Sequence, residues 1–272
     1  GRDNLLAESD TTPVVCFSTH LDTVPPYRPP TLNGDRLSGR GACDAKGIAA
    51  AMICAAEALR DTGTGVALLL VVGEEISHDG AHAANTVPTT TRVLINGEPT
   101  ESTLALGTKG ALRFLVRTRG TAVHSAYPQL GRSATADLVR LLAELDGLAL
   151  PTDPLLGETT VNIGKLSGGV ADNVTAPDAE ARLMARLVVS ADETLAVFRA
   201  WIGDRAEIVP GESVPPLRLT ALPGFPTSVV AYATDVPNLG NWGTPYLFGP
   251  GSILVAHTDE EFVSVAELHA AV

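Results

Sequence analysis

The chain is poor in cysteine. Among 272 residues there are three, Cys16, Cys43 and Cys54, and no two of them form a CxxC pair. An odd count without that spacing argues against a disulfide framework and against a cysteine-based zinc site, and makes the cytoplasm the expected compartment. Aromatic residues are scarce, at 4%. Basic residues are outnumbered, 19 against 31 acidic ones, for a formal net charge of −12. With no basic run, that balance argues against wrapping nucleic acid or coating an anionic membrane. The longest apolar run, 66–72, is too short to cross a bilayer. The phosphate-binding spacing GxxxxGK[ST] is absent. What the chain does have is apolar bulk, 45% of its residues, enough for a packed core.

The first stretch alternates strand and helix. Residues 14–17 form a short apolar run after Pro13, read as a buried strand. Residues 45–60 are Ala-rich, with Ile48, Met52, Ala55, Ala56 and Leu59 at helical spacing, a helix packed on a sheet. Residues 66–72 and 92–96 read as two more buried strands, giving an α/β sheet covered on both faces. After Leu106 the pattern changes. Strand 112–118, helix 133–145, strands 160–165 and 179–189, helix 191–202 and strand 207–209 follow in β-α-β-β-α-β order, the ferredoxin-like α+β arrangement. From Leu217 the chain turns Pro- and Gly-rich and ends in a short predicted helix over 263–272. The expected organisation is a mixed-sheet catalytic domain in two parts, 1–107 and 214–272, with an inserted lid over 108–213.

Five motifs fall at predicted strand ends or in the tail, and strand ends are where open α/β sheets bind ligands. In HLDTVP, His20 and Asp22 lie two apart after a strand, so a carboxylate could fix the tautomer of a ligating imidazole. The plain alternative is a polar loop with a hydrogen-bonded His. In GRGACDAKG, Asp44 enters the Ala-rich helix, where a simple N-cap is the competing reading. Glu74 and Glu75 follow the most apolar strand, and like charges there need compensation. Glu98 follows the next strand in GEPT, and His257 follows a glycine-rich turn in FGPGS…AHTDEE. Singly these are weak. Together they supply two His, several carboxylates and no Cys, a donor set suited to Zn²⁺, Co²⁺ or Mn²⁺. It is also the inventory of a paired-metal hydrolase with one carboxylate left as base.

In order and spacing, these five motifs resemble the zinc-dependent aminoacylase, carboxypeptidase and deacylase family, which includes acetylornithine deacetylase, succinyl-diaminopimelate desuccinylase and glutamate carboxypeptidases. The match runs from about residue 14 to the C-terminus. The resemblance implies two Zn²⁺, one held by His20, Asp44 and Glu98, the other by Asp44, Glu75 and His257, with Asp44 bridging. It implies Glu74 as general acid/base, Asp22 orienting His20, and a cis peptide between Asp44 and Ala45. The insert resembles the family's lid, which carries the dimer contact and implies a homodimer. His124, in HSAYP, resembles the lid histidine that reaches the partner's active site and stabilises the oxyanion. Asn173, in GGVADNV, Arg186, and Gly249 and Gly251 of the FGPGS turn match substrate-binding positions. The segment 173–177 has one residue more before its proline than relatives carry. Cys43 reads as a packed small residue, and His78, His82 and His269 have no matched role.

The expected reaction is hydrolysis of the amide bond of an N-acyl amino acid. The alternative is a metal-dependent dipeptidase or carboxypeptidase, which shares the chemistry and differs in the pocket. A catalytically silent metal- or ligand-binding module on the same scaffold is the second alternative. That reading needs a lost ligand or base, and none is missing.

Overall fold

The computed structural model describes residues 2–272. In chain order the elements that position the site begin with β1 (Leu5–Glu8), β2 (Val15–His20), β3 (Thr31–Asn33) and β4 (Arg36–Ser38). Next come α1 (Lys46–Asp61), β5 (Val66–Val71), α2 (Asp79–Ala84) and β6 (Val93–Asn96). Then follow β7 (Gly110–Arg119), α3 (Ala134–Ala143), β8 (Thr160–Gly168), β9 (Asp178–Leu187), α4 (Ala191–Ile202) and β10 (Glu207–Val214). The chain closes with β11 (Thr244–Leu247), β12 (Phe262–Ser264) and α5 (Val265–Ala270). Among the described residues no helix is long and apolar enough to cross a membrane. The chain divides into two compact units. One comprises residues up to Gly107 with Arg218–Val230 and Thr234–Val272; the other comprises Thr108–Leu217 with Ala231–Ala233.

The first unit is built on a five-stranded mixed sheet, in the order β1-β5-β2-β6-β11. Strands β5, β2, β6 and β11 are parallel, and β1 is antiparallel on the edge. Both faces are covered, which is why the inner strands read as continuous apolar runs. Phe17 and Val66 face α1, joining Ile48, Met52 and Ala55 in one cluster. Cys16, Ala67, Leu69, Val71 and Leu94 face the other way, against Ala81, Ala84, Leu239 and Trp242. Each buried leucine there is worth about 1.5–3 kcal/mol of transfer free energy. The Ala-rich face of α1 lets helix and sheet approach closely, and its bounds lie within a residue of the predicted ones. A small sheet, β12-β4-β3, brings the chain's last strand against the segment before Asp44, with Phe262 paired to Ser38.

The second unit is an antiparallel sheet of order β8-β9-β7-β10 with α3 and α4 on one face, the ferredoxin-like arrangement expected from the pattern. Alternation decides which residues enter its core: Leu112, Phe114 and Val116 from β7, and Ala181, Leu183, Ala185 and Leu187 from β9. Helix α4 starts on a capping box, with Ser190 and Glu193 each satisfying the other's main-chain N–H. Two elements run differently from the sequence reading. Strand β10 continues to Val214, carried past Pro210 by an irregularity in its pairing with β7. The predicted terminal helix begins only at Val265, because 262–264 pair as a strand.

Candidate metal centre

The parallel register places the chemistry at one edge of the first unit's sheet. His20 ends β2 opposite Val71, and Asn96 ends β6 opposite Ser18 and Leu247. The residues after these strand ends therefore emerge together: Asp22 after β2, Glu74 and Glu75 after β5, Glu98 after β6, and Gly249 after β11. This is the C-terminal edge, where open α/β sheets bind ligands.

His20 is 1% exposed. Its Nδ1 lies 2.9 Å from the Asp22 carbonyl oxygen, which can only accept, so Nδ1 carries the hydrogen and Nε2 faces the centre. Nε2 lies 2.9 Å from Asp44 Oδ1. The other Asp44 oxygen, Oδ2, lies 3.1 Å from His257 Nε2, which is also 3.1 Å from Glu75. One buried carboxylate thus faces both imidazoles. His20, Asp44 and Glu98 present donor atoms within 4.8 Å of one another, and so do Asp44, Glu75 and His257. These are the two triads that the family resemblance implies, and the Asp44–Ala45 peptide is cis.

The donor set fits a pair of divalent cations. Among the described residues Glu98 Oε1 is buried with no hydrogen-bond partner, on a residue only 4% exposed. An acceptor stranded in that way is costly unless a cation or a proton meets it. Burial disfavours charge on His20, yet its hydrogen bond to Asp44 and the neighbouring Glu98 raise its pKa well above the usual value. Hydrogen bonds to Asp44 and Glu75 raise His257 to about 10. Burial opposes ionisation of Asp44, but the two imidazoles outweigh it and hold its carboxyl well below the usual range. Glu98, with burial as the main cause, is raised well above it. Glu74 lies in neither triad. Burial first, and then Asp235 and Asp44, push its carboxyl up to about 7, so it can both take and release a proton near neutrality.

The carboxylate of Asp22 does something the motif did not suggest. It lies 3.8 Å from His20 Nδ1, and it is the main-chain carbonyl of Asp22 that fixes the ring. The carboxylate instead accepts the main-chain N–H groups of Gly73, Glu74 and Glu75, at 2.8, 3.3 and 3.2 Å. It therefore holds the turn that presents both glutamates. Gly249 and Gly251 are buried in this unit. A Cβ on Gly249 would collide with the Glu98 carbonyl oxygen, and one on Gly251, where φ is +83°, would press on Cys43 Sγ. Their bareness lets the FGPGS turn pass close behind Glu98 and Asp44. Cys43 is buried, as expected for a small packed residue. His78 had no matched role, and it proves to be paired: its Nδ1 lies 2.8 Å from Asp235 Oδ1, three residues beyond Glu75. No local signal could have shown this, because the partners are 157 residues apart.

In the second unit, His124 and Asn173 come together. The Ser125 N–H donates to the Asn173 carbonyl at 2.9 Å, the Thr175 N–H donates to Val123, and His124 bridges Val174. Both side chains are exposed, and His124 Nδ1 accepts the Ala126 N–H at 3.1 Å. Before Pro177 the Ala176 carbonyl accepts the N–H of Ala134 at the start of α3. Arg186 is half-buried on β9, paired in register with Thr160 and Ala111.

Comparison with known proteins agrees with this architecture. A family model described as the peptidase dimerisation domain of M20 proteins matches residues 106–209, the second unit. A "Probable carboxypeptidase" of Aspergillus flavus is 39% identical over an alignment 314 positions long, covering 100% of this chain and 73% of that protein. A peptidase M20 domain-containing protein of Schizosaccharomyces pombe is 41% identical over 278 residues, covering 98% of this chain and 69% of that protein. A tripeptidase from Staphylococcus aureus has the same fold, with a TM-score of 0.78 at 18% identity, covering 98% of this chain and 82% of that one. Peptidase names recur among the relatives in sequence, which favours the peptidase alternative over the N-acyl amino acid reading. Fold, donor constellation and sequence identity agree: the chain belongs to the M20 family of metal-dependent peptidases and amidohydrolases.

Proposed function

We propose that this chain is a metal-dependent exopeptidase of the carboxypeptidase or dipeptidase type, acting on short peptides with a free C-terminal carboxylate. The observation that carries the reading is Asp44, whose two oxygens each meet an imidazole, at 2.9 and 3.1 Å, with Glu75 and Glu98 completing two triads. His20, Asp44 and Glu98 would hold one divalent cation, and Asp44, Glu75 and His257 the other. Bound there, two Zn²⁺, or Co²⁺ or Mn²⁺, supply Lewis acidity for amide hydrolysis.

The protein's own groups do the rest. Glu74 takes a proton from the attacking water and passes it to the leaving amine, a role its raised pKa suits. Asp22 holds Glu74 and Glu75 in register through three main-chain N–H groups. His124 stabilises the oxyanion, and Asn173 and Arg186 bind the substrate, Arg186 through its carboxylate. Gly249 and Gly251 let the FGPGS turn pack against Glu98 and Cys43, and its main chain at the rim of the centre meets the substrate's backbone. The second unit forms the contact of a homodimer, through which His124 serves the neighbouring subunit's site. The enzyme works in the cytoplasm.

The test is a substrate panel run with metal analysis, with and without a chelator. Dipeptides and short peptides with free C-termini should be cleaved, the same peptides amidated at the C-terminus should not, and chelation should abolish turnover. Faster turnover of N-acetyl or N-succinyl amino acids would restore the deacylase reading. Bound metal without hydrolysis on any panel would leave a silent binding module.

A further inference from the structure

A buried ion pair lies beside the centre and belongs to neither triad. Glu261 is 2% exposed, and the Arg40 side chain 3%. Glu261 Oε2 accepts a hydrogen bond from Arg40 Nη1 at 2.6 Å. Its Oε1 accepts the main-chain N–H groups of Gly41, Cys43 and Asp44, at 2.9, 3.2 and 3.2 Å. Its main-chain carbonyl accepts the Gly39 N–H at 3.1 Å. Arg40 also reaches the Pro26 carbonyl through Nε. The amide donors of the turn before α1 therefore converge on one residue from the far end of the chain.

Position gives this convergence a consequence. Glu261 stands four residues after His257, and Arg40 four residues before Asp44. The two segments are joined next door by β12 and β4, with Phe262 opposite Ser38. The turn itself is glycine-rich and carries positive φ at Gly39 and Gly41, so its sequence alone leaves it many conformations. A carboxylate that serves two ligand sets must hold both oxygens at once, and its direction follows from the backbone that bears it. A buried ion pair adds little net stability by itself, because desolvation offsets much of its attraction.

We propose that Glu261, held by Arg40, is a positioning residue: it ties the Asp44 turn to the His257 segment so that one carboxylate faces both histidines. The proposal rests on the reading of His20, Asp44, Glu75, Glu98 and His257 as a two-cation site. It makes Glu261 a determinant of affinity for both cations, though it touches neither. Groups that orient metal ligands commonly change affinity by about 10–100-fold when altered.

The experiment loads the full chain with Co²⁺ and compares wild type with Glu261→Gln and Glu261→Ala. Affinity is read by competition with a chelator, site geometry by the visible Co²⁺ absorption, and folding by the melting temperature of the metal-free protein. Glu261→Gln keeps shape and an acceptor but cannot serve both Arg40 and the turn. It should weaken both Co²⁺ sites by about tenfold and change the spectrum, and Glu261→Ala by up to about 100-fold. A purely structural role predicts a lower melting temperature with affinity and spectrum unchanged well below the transition, and that result overturns the proposal. If Glu261→Ala does not fold, Glu261→Gln decides by the same two readouts. A wild type that binds no Co²⁺ would instead refute the two-cation reading, and this proposal with it.

Discussion

Loading the metal-free protein with divalent cations should release protons, and the structure names the groups that lose them. A ligating imidazole must be neutral and a ligating carboxylate ionised. In the metal-free site the hydrogen bonds to Asp44 and Glu75 raise His257 to about 10, so near neutrality it carries its proton. His20 and Glu98 are both raised well above their ordinary values, while Asp44 is held ionised. Filling both positions therefore displaces protons, from His257 and from the coupled His20 and Glu98. Isothermal titration of Zn²⁺ or Co²⁺ in buffers of different ionisation enthalpy reads their number as the slope of apparent enthalpy. A slope near zero would mean that the ligands are already deprotonated, and would refute the electrostatic account. In His257→Gln the slope should fall by about one proton. Stability follows the same linkage. The contributions of His20 and His257 are fully present below about 6.5 and are lost as pH rises, for His257 through about 10. The metal-free protein should weaken over that window, and the rise in melting temperature on adding cations should grow with pH.

Other outcomes follow from single side chains. Glu74→Gln should retain both cations while turnover falls by about 10²–10⁴-fold, and metal analysis beside kinetics separates the two effects. Asp22→Ala frees three main-chain N–H groups at the Glu74 turn, so kcat should fall about 10–100-fold with the fold intact by circular dichroism. Gly249→Ala would push on the Glu98 carbonyl and should lower metal content below two per chain, as measured by atomic emission. In the second unit Phe198 is fully buried, with its ring centroid 4.7 Å from that of Phe114. Phe198→Ala should cost about 3–5 kcal/mol in urea unfolding, with metal affinity unchanged.

Much of this was legible from residue order. The inner strands of the first unit announce themselves because burial on both faces makes them wholly apolar, and the second unit does so through clean alternation in β7 and β9. Helix α1 reads from its alanines and its 3.6-residue spacing. The exposed edge strand β1, the short helix α2 and the three-residue strands β3, β4 and β12 were not legible. Each is too short or too polar for periodicity to build up; β1 and β12 exist because distant strands pair with them, while β3 and β4 pair with each other in a hairpin.

The same division runs through the site. Residue identities and their places after strands gave a donor inventory suited to paired cations, because metal chemistry restricts donor types and parallel sheets gather strand ends on one edge; the assignment of five ligands and a base came from the family resemblance. Only the tertiary structure decided which atom meets which. It gave the tautomer of His20 to a main-chain carbonyl and turned the Asp22 carboxylate to the Glu74 turn. It paired His78 with Asp235, and it set Glu261 against Arg40 across 221 residues of chain. Local pattern carries information over a few turns of helix or a few residues of strand. Hydrogen bonds between groups so far apart in sequence come into being only when the fold closes.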